Sequence, residues 1–132
     1  MSAPKVQLLL TGNELMTGDI VDSNSAMMAQ VLKDIGLGVN RKVTVADDLT
    51  LLVNEITYMA STSDILIING GLGPTIDDLT AQALALAIGE ELTQHPQALA
   101  HLITWCQQRG VELNGPNLKQ AVLPKDCQII AN

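Results

Sequence analysis

Two short apolar runs, Val6–Leu10 and Ile65–Ile68, set the strongest limit on how this chain can fold. Neither alternates apolar with polar residues, so neither reads as a strand with one wet face. Runs of this kind fit strands covered on both sides, as in a parallel sheet clad in helices. The segments between and after them carry the helical period. The stretch 23–36, "SNSAMMAQVLKDIG", places Met28, Leu32 and Ile35 on one stripe, with Ser23 or Ser25 as N-cap and Gly36 as the stop. The stretch 39–46 reads as a second, more polar strand, nearer an edge. The stretch 47–61 follows as a helix with an aspartate cap and a stripe of Leu52, Ile56 and Met59. After the third strand, 64–69, come a glycine stretch and an alanine-rich helix ending at Gly89. Residues 95–110 read as a fourth helix, with Pro96 in its first turn and Gly110 at its end. A short helical turn over 114–124 and a last strand over 127–132 complete the chain.

Strand, helix, strand, helix, strand, helix is the pattern of right-handed βαβ units. The predicted architecture is a three-layer, doubly wound α/β domain, with a mostly parallel sheet and helices on both faces. Its 132 residues fit one domain, and 47% hydrophobic residues supply a core. No apolar run reaches membrane-spanning length. The N-terminus lacks the long apolar region of a signal peptide, so a cytoplasmic location is expected. Cys106 and Cys127 form no metal or redox motif and read as reduced thiols. His95 and His101 are six residues apart, on different helix faces, which argues against a metal pair. A net charge of −7 speaks against nucleic acid as partner. It leaves room for a small phosphorylated ligand, which backbone amides, helix N-termini and a bridging cation can hold.

In open α/β sheets ligands bind at the carboxyl ends of the strands. Three loops emerge there: 11–22, 46–48 and 69–78. The last contains Gly70-Gly71-Leu72-Gly73-Pro74-Thr75, between a buried strand and a helix. Glycines let a ligand approach the main chain, and the helix start favours an anion. The loop is neither a Walker A loop nor G-x-G-x-x-G, so a tight turn without a ligand is the plain alternative. Asp77 and Asp78 follow. One of them is expected to cap the helix, and the second could hold a divalent cation or act as general base. Asp48 reads as the cap of the second helix, which leaves Asp47 to face the site or to sit in a solvated turn. Glu14, in Thr11-Gly12-Asn13-Glu14, could bind ligand hydroxyls or metal, or stand exposed. Asn24 could be a cap or a ligand contact. Asn117 and Lys119 lie in the turn between Pro116 and Pro124, and Lys119 is the cation to aim at a phosphate, with a surface lysine as the alternative.

Together, "TGNELMTGDIVDSNS", "GGLGPTIDDLT" and "NLKQAVLP" resemble the N-terminal domain of the CinA (competence/damage-inducible) proteins, part of the wider molybdopterin-binding fold of MogA- and MoaB-like proteins. The resemblance runs from Lys5 to Asn132. It implies a pocket for a phosphorylated, nucleotide-like or pterin-like ligand at the three loops. In CinA-like proteins this domain is associated with metal-dependent ADP-ribose pyrophosphatase activity, while the MogA-like relatives bind molybdopterin and adenylylate it. Carried over residue by residue, the resemblance implies Asp78 and Asp47 as catalytic. Thr11, Gly12, Glu14, Asn24, Gly70, Gly71, Gly73, Thr75, Thr80, Asn117 and Lys119 are implied as ligand-binding. Asp77, Asp78 and Glu14 are implied as the holders of a divalent metal (Mg, Mn or Co). Asn13 stands where the family has an acidic or hydroxyl residue. The resemblance also implies a dimer or trimer, and a single domain, 1–132, without the Gly-x-Ala-Pro-Gly loop and strand that follow in the family. An amidohydrolase-like second domain, which CinA proteins often carry, is not expected within these 132 residues, so its activity is not carried over. A hydrolase of ADP-ribose or a similar nucleotide is thus the leading expectation. The alternatives are a molybdopterin- or nucleotide-binding module without turnover, and an inactive scaffold.

Overall fold

The computed structural model describes residues 3–130. Its central element is β1 (Val6–Thr11), every residue of which is buried. Parallel neighbours flank it: β2 (Val39–Val45) on one side and β3 (Ile65–Asn69) on the other. Leu8 stands opposite both Lys42 and Ile67, so all three strands end at the same edge. That shared edge is what brings the three loops together.

Helices α3 (Leu49–Thr62) and α4 (Thr80–Ile88) cover one side of this sheet. Leu52, Ile56 and Met59 of α3 are fully buried and meet Leu9, Val45 and Ala83 in one cluster. Their spacing of four and three residues gives α3 the inward stripe its sequence predicts. Asp48 caps α3, accepting from Leu51 N at 3.0 Å. Helix α2 (Asn24–Asp34) packs beside β2. Its expected stripe is shorter than the spacing suggests: Ile35 is 68% exposed, one residue past the helix end. Neither Ser23 nor Ser25 caps it through its side chain. Asp22 does, accepting from the Ser25 amide at 3.0 Å and from the Ser25 hydroxyl, with Lys42 at 3.7 Å. These bonds hold the Asp22 carboxyl below its usual range; the Ser25 hydroxyl contributes most, burial opposes it, and the Ser25 amide and Lys42 add to it.

The loop after β1 is not wholly irregular, since α1 (Asn13–Met16) makes one helical turn. The second half of the chain holds a two-stranded antiparallel sheet that the sequence did not predict: β4 (Leu92–Gln94) with β5 (Val122–Pro124). Between them run α5 (Pro96–Arg109), α6 (Gly115–Leu118) and a 3-10 turn, Lys119–Ala121. His95 caps α5. Its Nδ1 accepts from Ala98 N at 3.3 Å, and its Nε2 lies 3.0 Å from the Cys127 carbonyl. The strand expected over 127–132 is absent from Cys127–Ile130, and residues 131–132 lie outside the described residues. The ladder falls on Val122–Pro124 instead, because β4 offers its partner there. Cys106 and Cys127 are both free. Among the described residues no helix is long and apolar enough to cross a membrane.

Candidate functional site

Two cavities compete for attention. A groove of about 980 Å³ runs along α5 past Trp105, Leu123 and Ile130, with His101 as the titratable side chain of its lining and no carboxylate among the described residues there. A smaller cavity of about 300 Å³ lies at the carboxyl ends of β1, β2 and β3. Its lining is Thr11, Gly12, Asn13, Glu14, Asp47, Gly70, Gly71, Thr75, Asp77 and Asp78. Four carboxylates and two threonines around so small a space make this the candidate site.

The floor is built by close backbone approach. Gly70 has φ +103, and a Cβ there would strike the Thr11 carbonyl. Gly71 has φ +70, and its Cβ would strike the Thr80 hydroxyl. Only glycine fits either place. Thr80 then buckles the loop to α4: its hydroxyl donates to the Gly70 carbonyl at 2.6 Å and its amide to the Gly71 carbonyl at 3.1 Å. Thr80 is buried and outside the cavity lining, so its part is structural support.

Asp47 is held from the neighbouring loop. Thr11 Oγ1 donates to its Oδ1 at 3.0 Å, and the Asn13 amide donates to its Oδ2 at 3.2 Å. In return the Asp47 amide donates to Asn13 Oδ1 at 3.0 Å. Asn13 is therefore a site residue that the motif reading left out of its ligand set. It keeps the acceptor an aspartate would offer, without a further negative charge beside Asp47 and Glu14. The parallel pairing of β1 with β2 is the signal that places these two loops side by side.

Asp78 is held differently. The Thr75 hydroxyl and amide donate to its Oδ2 at 2.7 and 2.9 Å, and its own amide donates to the Thr75 carbonyl at 3.2 Å. Burial pushes the Asp78 carboxyl up, but the Thr75 hydroxyl, the Thr75 and Gly73 amides and the charge of Lys119 outweigh it and hold the group below its usual range. Asp78 thus does not cap α4, and neither does Asp77: the N-cap position is Leu79, with no side-chain cap bond. The Thr75 donors sit three residues back and take the carboxylate first.

The remaining candidates lie outside the lining. Asn24 donates through Nδ2 to Asn69 Oδ1 at 3.3 Å, tying α2 to the end of β3. Gly73 packs beneath Asp78. Asn117 is spent within its own turn: its amide donates to Asn114 Oδ1 at 2.8 Å and its Nδ2 to the Glu112 carbonyl at 3.4 Å. Lys119 reaches across the fold, and its Nζ donates to the Thr75 carbonyl.

For a divalent cation the donor set is chemically apt, since Glu14, Asp47, Asp77 and Asp78 offer hard carboxylate oxygens. Among the described residues, however, no three acidic, histidine or cysteine side chains converge as a ready-made metal cluster. Such a set suits an ion shared between one or two carboxylates and the oxygens of a bound phosphate.

Known proteins match this chain in sequence and fold. The family model of probable molybdopterin binding domains matches residues 7–120. The CinA-like protein of Colwellia psychrerythraea is 91% identical over 132 residues, covering 100% of this chain and 31% of that protein. The CinA-like protein of Desulforapulum autotrophicum is 42% identical over 128 residues, covering 97% of this chain and 30% of that protein. The chain spans about a third of the length of these relatives. Among solved structures, a CinA protein of unknown function from Thermoplasma acidophilum superposes with a TM-score of 0.88 at 33% identity, covering 98% of this chain and 76% of that one. The molybdopterin biosynthesis Mog protein of Mycobacterium ulcerans shares the fold, with a TM-score of 0.60 at 16% identity over 91% of this chain and 75% of that one. The chain belongs to the family of probable molybdopterin-binding domains, in its CinA-like branch.

Proposed function

We propose that the cavity at the strand ends binds a phosphorylated, nucleotide-like ligand together with a divalent cation and hydrolyses the pyrophosphate bond of ADP-ribose or a similar nucleotide. One observation carries this reading: two aspartates, each fixed by hydrogen bonds, face one small cavity whose floor is the bare backbone of Gly70 and Gly71. A glycine floor admits a phosphate close to the main chain, and Gly70, Gly71 and Thr75 would line it. One or two of the carboxylates Glu14, Asp77 and Asp78 would hold the cation beside the phosphate. A divalent ion held there would supply charge neutralisation on the diphosphate. Asp47 or Asp78 orients the attacking water and takes its proton. The water oxygen forms a bond to one phosphorus, the bridging P–O bond breaks, and AMP and ribose 5-phosphate leave.

A second reading has its own observation. Among the described residues the carboxylates do not converge as a metal cluster, an arrangement compatible with a module that binds molybdopterin or a nucleotide through its hydroxyls and phosphates without turnover. Incubating the chain with ADP-ribose and Mg²⁺, Mn²⁺ or Co²⁺ separates the two. The hydrolase reading expects AMP and ribose 5-phosphate on chromatography, lost in Asp78→Asn while the fold stays intact. Equal turnover in that variant removes Asp78 from the chemistry. Tight binding of the nucleotide with no product, in any metal, establishes the module.

A further inference from the structure

Lys119 stands outside the cavity, yet it bonds to one of the loops that form it. Its ammonium donates to the Thr75 carbonyl, 44 residues back in the chain. That carbonyl also accepts from the Asp78 amide, while the Thr75 amide and hydroxyl donate to the Asp78 carboxylate. Thr75 and Asp78 thus close a small ring of hydrogen bonds, and Lys119 grips it from outside. The grip has a firm base. Asn114 caps the short helix before Lys119, accepting from Asn117 N at 2.8 Å. Ala121, two residues after it, is fully buried, and its carbonyl accepts from His95 N at 2.8 Å. The lysine therefore hangs from a segment anchored on both sides, against the start of α5. The loop it reaches is the less supported part, because Thr75, Ile76 and Asp77 are exposed.

We propose that Lys119 is a positioning residue: from a separate element it clamps the Thr75–Asp78 turn and so sets where the Asp78 carboxylate stands. Its consequence for chemistry rests on the hydrolase reading above, but its hold on the turn does not. The clamp also makes the segment 114–121 a second control point for the site. A change that loosens this segment loosens Asp78 without touching the cavity.

Amide hydrogen exchange on the whole chain tests the clamp without any ligand. Lys119→Met keeps the aliphatic stem and removes the donor. Exchange of the Thr75 and Asp78 amides should quicken about fivefold, the loss expected for one hydrogen bond of ordinary strength. Lys119→Arg should restore it. The Asp47 amide, bonded to Asn13, should not change. Asn114→Ala should reproduce the effect more weakly, through the base of the clamp. If ADP-ribose is turned over, Lys119→Met should lower kcat more than it raises KM. Unchanged exchange at Thr75 and Asp78 in Lys119→Met overturns the proposal. So does a loss that spreads evenly over the chain, or one that arginine does not restore. Absent turnover in the wild-type chain counts against the hydrolase reading alone.

Discussion

The loops after β2 and β3 each present an aspartate to the same cavity, but they fix it by opposite means. Asp47 is held by Thr11 and Asn13, more than thirty residues away in sequence and one strand away in space. Asp78 is held by Thr75, three residues back, with Lys119 bracing the turn. The first arrangement is as firm as the β1–β2 ladder beneath it. The second depends on a local turn and on a clamp from another part of the chain. One site thus holds one carboxylate through the loop of a neighbouring strand and the other through its own turn.

Substitutions can break each arrangement separately. The largest effect is expected where both meet. Gly70→Ala places a Cβ against the Thr11 carbonyl at a φ of +103, so it should cost about 2 kcal/mol or more. Urea denaturation should show that loss, and nucleotide binding should fall with it. Thr11→Val comes next. It removes the buried donor to Asp47 Oδ1 and should cost about 1 kcal/mol. Thr75→Val removes the matching donor to Asp78 but on an exposed loop, so its cost should be only a fraction of that. Its effect should appear instead in faster amide exchange at Asp78. Equal losses for Thr11→Val and Thr75→Val would erase the contrast.

The smallest effect concerns acid. Asp78 and Asp22 both titrate below the usual carboxylate range in the folded chain. A depressed carboxylate adds stability above its unfolded pKa, about 4, and that stability drains away as pH falls through the folded value. Urea midpoints should therefore hold steady down to about pH 4 and decline below it. Asp22→Asn should start lower at neutral pH and decline less in acid. An identical acid decline in that variant would contradict the role assigned to the Ser25 and Lys42 contacts.

The parts of the fold that were legible in the sequence are those with long or strongly punctuated signals. β1 and β3 announced themselves as apolar runs, α3 by its Leu52, Ile56 and Met59 stripe, and α5 by Pro96 and Gly110. The small sheet was not legible. β4 and β5 have three residues each, too few to show a period of two, and β5 ends on a proline. The apolar pair Ile129–Ile130 suggested a strand more strongly than Val122–Pro124 did, but pairing is decided by the partner that β4 supplies.

In the site, the glycine floor and the two facing aspartates could be read from motif and topology. The bonds that fix them could not. Asp77 and Asp78 looked like helix caps because they precede α4, and only the fold of the turn shows Thr75 claiming Asp78. Nor does motif spacing show that Asn24, Thr80 and Lys119 bond to distant parts of the chain and Asn117 within its own turn.

The most direct test of the account is where a nucleotide lands. Amide spectra of the ¹⁵N-labelled chain, titrated with ADP-ribose and Mg²⁺, would show it residue by residue. The account predicts shifts confined to Thr11–Glu14, Asp47 and Gly70–Asp78, with Trp105 and the rest of α5 unmoved. Shifts along the α5 groove, with the strand-end loops silent, would contradict it.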